Sequence, residues 1–206
     1  ERDTVFARAD LFHIFGVDSP AFERYYAAHP ELLAVDTRTS RMPGLGWTGG
    51  IDTPMFEAQF GAIALLSDDA IVDGPPAPDR VALPADRAAA KVKALARFLG
   101  ADLVGIGPLR QSWVYSHVGR AASGPWGAPI DLSHHHHAIA MGFEMNYRLI
   151  QSAPDFPVLL ATARGYAMGA WVAVQLAAYI RSLGYSARAH HLRNYQVLCV
   201  PVAVDC

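Results

Sequence analysis

Residues 158–185, VLLATARGYAMGAWVAVQLAAYIRSLGY, form the longest apolar stretch of the chain, and whatever fold the protein adopts has to accommodate them. By length alone the stretch reaches across a bilayer. Arg164, Gln175 and Arg181 interrupt it, and Gly165 and Gly169 loosen it. Polar groups at three depths are costly in hydrocarbon, so the stretch reads as a buried core helix and no transmembrane span is expected. Within a 206-residue chain that is 52% hydrophobic and 17% charged, such a helix organises one substantial core.

Seventeen basic and nineteen acidic residues leave a formal charge of -2. There is no electrostatic pull toward nucleic acid or anionic lipid, and nucleic acid is not an expected partner. Cys199 and Cys206 are too few for a disulfide framework, a structural zinc site or an iron–sulfur cluster, so no metal site is assigned to this chain. Glu1-Arg2-Asp3 does not open a signal peptide, which predicts a cytoplasmic protein from a chain that does not start with Met.

Ser19-Pro20 is an N-cap followed by proline at the first helical position, predicting a helix through Ala28 that His29-Pro30 ends. A second helix runs from Pro30 toward Arg41. The glycine-rich segment 43–50 lacks the Lys-Ser/Thr of a phosphate loop and reads as structural, a candidate lid. Thr53-Pro54 starts a helix to about Leu66, and Gly74 to Pro84 is a connector. From there the order becomes regular: a helix from Pro84 to Leu99 closed by Gly100, a strand over Ala101 to Ile106, and a strand over Ala138 to Phe143. The long apolar helix ends at Gly184, and Tyr185 to His190 and Val197 to Val204 read as further strands. The expected class is α/β with layered α+β packing, divided into a helical and loop region over 1–84 and an α/β core over 85–206.

Three polar groups are candidates for a site. On a strand, His134 to His137 alternate between faces and on a helix only the first and last align, so the tetrad suits an exposed strand entrance better than a metal site. His190-His191 leads into Arg193-Asn194-Tyr195, a polar insertion of the kind that carries binding groups. Thr162 and Tyr166 share a helix face, with Gly165 and Gly169 allowing close approach; ordinary helix packing explains the same pattern.

The segments GADLVGIGPLRQSWVYS (100–116), EMNYRLIQSAP (144–154), YIRSLGYSARAH (179–190) and VPVAVDC (200–206), with ERDTVFAR and YYAAHPEL near the start, resemble in order the motifs of the corrinoid-dependent reductive dehalogenases, closest to their non-respiratory branch. The resemblance covers most of the chain. It implies a nitroreductase-like α/β core that holds cobalamin, incomplete in this chain. It places Tyr166 on the family's catalytic tyrosine and Thr162 and Asn194 on pocket positions; Gly165 and Gly169, by their small size, suit close approach of the cofactor. Asn194 aligns only with a small insertion over 190–193. The histidine tetrad has no counterpart in the family and reads as an incidental lead-in.

By the same resemblance the substrate is a small organohalide, and electrons arrive from a ferredoxin, a flavodoxin or a reductase. Two [4Fe–4S] clusters sit on residues outside this chain. The family's basic partner of the tyrosine and its cysteine motifs lie beyond Asp205-Cys206, so the chain is expected to be the N-terminal part of such an enzyme and to need the remaining polypeptide. The proton would come from Tyr166: an ordinary phenol titrates near 10 and donates slowly unless a cation stabilises the phenolate. Two other classes fit the same residues, a corrinoid-carrying module without catalysis and a silent duplicated domain.

Overall fold

The structure is a computed structural model that describes residues 5–40, 52–119, 125, 127–153, 156–192 and 194–206. The glycine-rich 43–50 segment and Arg193 lie outside the described residues. In chain order the elements are α1 (Val5–Asp10, continued by a π-helical turn Leu11–Phe15), α2 (Pro20–Ala28), α3 (Pro30–Thr39), α4 (Asp52–Leu65), α5 (Asp69–Val72) and α6 (Ala85–Phe98). Then follow β1 (Leu103–Pro108), β2 (His137–Gly142), α7 (Tyr147–Ile150), α8 (Phe156–Ser182) and α9 (Cys199–Asp205). Mixed helix and a small sheet match the expected class.

The 27-residue α8 is the axis of the fold. One side of it packs through Ala173, Val174 and Ala177 against Val72 of α5 and Leu66. Another, through Val172 and Leu176, meets Val92 and Ala96 of α6 and the sheet. A helix apolar over so much of its circumference is covered by its neighbours and needs no lipid. No helix among the described residues is long and apolar enough to cross a membrane.

β1 and β2 pair antiparallel, from Leu103 opposite Gly142 to Pro108 opposite His137. Side chains alternate across a strand, so Val104, Ile106, Ile139 and Met141 share the face that meets α6 and α8. The opposite face is nearly bare: Gly105, Gly107, Ala138 and Ala140. That bareness admits α9, because a Cβ on Gly105 would sit 2.7 Å from the Cys206 carbonyl oxygen. Asp205 fixes the contact, accepting from Trp113 Nε1 at 2.8 Å and pairing with Arg110 at 2.7 Å.

The N-terminal helices hold a small cluster of their own. Asp36 is buried, paired with Arg8 Nε at 2.7 Å and accepting from the Tyr26 hydroxyl at 3.0 Å. Burial, and next the bond to Asp36, push the Tyr26 pKa up. Phe12 packs edge-on to Phe22 and Tyr26, with ring centroids 5.0 and 5.8 Å apart. The Ser19 side chain accepts from Phe22 N–H at 3.2 Å, the cap that the sequence announces.

Contacts also cross the 84/85 junction. α4 and α5 both pack on α8, and Ala77 and Val81 donate backbone hydrogen bonds to Arg181 and Leu183.

Two expected strands are corrected. Tyr185 to His190 is an irregular segment: Ala189 N–H donates to Val72 O and the Ala187 carbonyl accepts from Arg181, so its backbone groups serve α5 and α8. Val197 to Val204 keeps a single bridge, Val197 to Val114, and then becomes α9. Pro201 explains the outcome, since proline has no N–H for a ladder and is tolerated in a first helical turn, where donors lack intrahelical partners.

The turn that closes α8 gives the first prediction. Gly184 has φ +83°, and a Cβ there would lie 2.6 Å from the Asp79 carbonyl oxygen. Gly184→Ala is expected to destabilise the protein by about 2–3 kcal/mol, combining left-handed strain with a backbone clash. Urea unfolding reads this as a lower midpoint at unchanged slope; an unchanged midpoint would show that the 79–80 segment gives way freely.

Candidate functional site

The sequence-derived candidates on α8 lie within its first four turns. Thr162 is half-buried and its Oγ1 donates to Val158 O at 2.8 Å, the back-bond that threonine makes inside helices. Tyr166 is half-buried, and its hydroxyl has no hydrogen-bond partner among the described residues. The two are four residues apart and share a face.

Gly165 and Gly169 lie beside the segment that leaves β2. The position of a Cβ on Gly165 is 4.0 Å from Met145 Cγ, and on Gly169 3.7 Å from Phe143 Cε2. The close approach that these glycines permit is made by the chain's own residues 143–145.

Asn194 belongs to a separate knot. It is buried, its Oδ1 accepts from His191 N–H at 2.9 Å, and its Nδ2 is 3.0 Å from His191 Nε2. That same Nε2 is 3.2 Å from Leu66 O. One ring nitrogen carries either a proton or a lone pair, so it serves one of these two partners at a time. The structure therefore brings Thr162 and Tyr166 together, and no hydrogen bond joins Asn194 to either.

The histidine tetrad has a structural part that its sequence did not advertise. His134 and His135 pack as a tilted ring pair with centroids 4.1 Å apart, and the 136 carbonyl accepts from Leu109 N–H at the entrance to the sheet. His135 faces a polar junction with His190 and Arg188, and desolvation with nearby positive groups lowers its pKa. Desolvation, and next Arg188, drop His190 to about 3. A neutral ring agrees with His190 Nδ1 accepting from Gln196 N–H at 3.2 Å. Among the described residues no three His, Cys, Asp or Glu side chains gather as metal ligands.

A cleft of about 560 Å³ that residue patterns did not single out opens beside Gly165. Phe143, Met168 and Gly165 give it an apolar floor, while Asp102, Glu144, Asn146, Arg148 and Arg164 supply a polar rim. Asp102 Oδ2 accepts from Glu144 N–H at 2.7 Å, which fixes the chain as it leaves β2. Asn146 caps α7, its Oδ1 accepting from Arg148 and Leu149 N–H at 3.0 and 3.3 Å. The sequence signal was present but faint: an Asn N-cap within the EMN run, and Arg164 as one of the charges breaking an apolar helix.

No family model matches the chain. The tetrachloroethene reductive dehalogenase of Dehalobacter restrictus is 30% identical over 154 residues, covering 58% of this chain and 28% of that protein. The catabolic reductive dehalogenase NpRdhA in complex with 3-bromo-4-hydroxybenzoic acid superposes with a TM-score of 0.61 at 26% identity, over 73% of this chain and 22% of that one. In sequence and in fold, the chain is similar to the reductive dehalogenases. A further dehalogenase structure, described as suggesting a mechanism for B12-dependent dehalogenation, gives a TM-score of 0.62 at 26% identity, with the same coverage. The chain thus spans about a quarter of the length of these dehalogenases.

Whether the residues fit the groups such enzymes imply is a question of donor chemistry. The cleft offers an apolar floor with both hydrogen-bond donors and acceptors, which suits one edge of an amide-bearing corrinoid. Cys199 and Cys206 are the chain's two cysteines, and two thiolates do not hold a four-iron cluster. Thiolates elsewhere would have to supply such clusters.

Proposed function

We propose that this chain is the N-terminal, corrinoid-binding part of a cytoplasmic reductive dehalogenase, with Tyr166 as the proton donor. The observation that carries the proposal is the shared fold with B12-dependent dehalogenase chemistry, TM-score 0.62 over 73% of the chain. Cobalamin, when bound, supplies the low-valent centre from which electrons reach the carbon–halogen bond. The net reaction consumes an electron pair and one proton, breaks the carbon–halogen bond, releases halide and forms a C–H bond. A ferredoxin, flavodoxin or reductase provides the electrons through clusters on other residues.

The residues of this chain hold and move the proton. Tyr166 sits on a rigid helix with its hydroxyl uncommitted, so the O–H can turn toward a substrate carbon. Thr162, one turn earlier, walls the same face, and Asn194 stiffens the 191–194 turn that borders α4.

The test is the metal content and visible spectrum of the full-length protein, purified without oxygen after cobalamin is supplied, with halide release from small organohalides. Stoichiometric cobalt, cluster iron and halide release are expected. Cobalt without iron or turnover would identify a corrinoid carrier, and neither metal would identify a silent domain.

A further inference from the structure

The cleft beside Gly165 has an unusual charge arrangement. Asp102 and Glu144 share it with Arg148 and Arg164, yet among the described residues no salt bridge joins either acid to either arginine. Neither guanidinium has a partner among the described residues. The Asn146 Oδ1 is spent on the cap, which leaves its Nδ2 as a donor, and Asp102 Oδ1 remains as an acceptor. Two carboxylates in the same cleft repel an anion, and two guanidiniums repel a cation. A group that accepts and donates at once satisfies both sets, and a primary carboxamide does so through one carbonyl and one NH2.

Position adds to this. At about 100° per residue, Gly165 stands about 60° round α8 from Met168 and about 100° from Tyr166. It is the step between the cleft and the tyrosine face, and it carries no side chain.

We infer that this cleft seats a carboxamide-bearing edge of the corrinoid, with Arg148, Arg164 and Asn146 Nδ2 donating to amide carbonyls and Asp102 and Glu144 accepting from amide N–H. The inference rests on the cofactor reading above and adds to it the residues that recognise the macrocycle's rim. The reaction chemistry does not run through them.

Equilibrium dialysis of the full-length protein, followed by corrinoid absorbance, tests it with two probes: cobalamin, and a corrinoid whose peripheral amides are replaced by methyl esters. Wild type should prefer the amide form at least tenfold. The Arg148→Ala/Arg164→Ala double variant should bind cobalamin at least tenfold more weakly. Glu144→Ala should weaken cobalamin about fivefold and leave the ester, which has no N–H to offer, unchanged. All three side chains are exposed, so the melting temperature should stay at the wild-type value. Variants that bind cobalamin like wild type, or a wild type indifferent to amide against ester, would overturn the cleft assignment while leaving the cofactor reading intact. A wild type that binds neither corrinoid would overturn the cofactor reading itself, and this inference with it.

Discussion

Arg181→Ala is expected to lower the stability of the protein by about 3–5 kcal/mol, a large share of a typical domain's margin. Arg181 is buried near the end of α8, where its guanidinium donates to three backbone carbonyls: Ile71 at 2.9 Å, Val72 at 3.3 Å and Ala187 at 2.9 Å. These belong to α5 and to the irregular segment beyond α8, so one side chain ties together stretches that pair with no strand. Val72 O keeps a second partner in Ala189 N–H at 2.8 Å. The other two carbonyls, at part-buried sites, lose the guanidinium, and a hydrogen bond from a charged donor contributes about 1.5–3 kcal/mol, to which lost packing of the arginine stem adds. Arg181→Lys should recover less than half, because an ammonium lacks the planar fork that reaches separated acceptors. Urea unfolding measures both. A midpoint for Arg181→Ala within the error of wild type would show that water replaces the guanidinium and that the tie is dispensable.

Arg181 also shows how sequence and structure part company. As one letter in an apolar run it argues against a membrane span, and that argument holds. Its actual work depends on where 71–72 and 187 return in space, which no local pattern carries. Helices with local signals were readable: Ser19-Pro20 opens α2, Gly100 and Gly184 close α6 and α8, and both carry positive φ. The paired strands were readable from apolar runs, with small residues alternating against large ones. Reading failed at 185–190 and 199–205, where apolar and β-branched residues favour a strand but Arg181 and Pro201 divert the backbone.

The site divides in the same way. Thr162 and Tyr166 are neighbours by helical spacing alone, so their pairing was legible. The cleft was not, because it needs 143–148 to fold back across α8 and Asp102, just before β1, to be brought beside them by the strand pairing. Asn194 fell between these cases: a polar insertion was visible, but its bonding to His191 follows from burial of both residues.

Tyr166→Phe is expected to cut halide release by about 10²–10⁴-fold, the usual contribution of a positioned proton donor, while corrinoid binding stays at the wild-type level. The substitution is close to a clean deletion of one atom. The ring remains, α8 is unaffected, and the hydroxyl has no hydrogen-bond partner among the described residues, so no buried acceptor is orphaned. Stability should therefore stay within about 0.5 kcal/mol of wild type. A merely structural tyrosine predicts the reverse, a lower unfolding midpoint with turnover falling only as folded protein is lost. Buffer dependence separates the two again: in D2O both enzymes should place deuterium on the dehalogenated carbon, the wild type through the exchanged phenol and without sensitivity to buffer acid. The variant's residual product should carry deuterium from solvent, with a rate that rises with added buffer acid, since a small acid can take the vacated donor's place. Full turnover with phenylalanine at 166, insensitive to buffer, would remove this residue from the proton path and leave the donor to be sought among groups beyond α8.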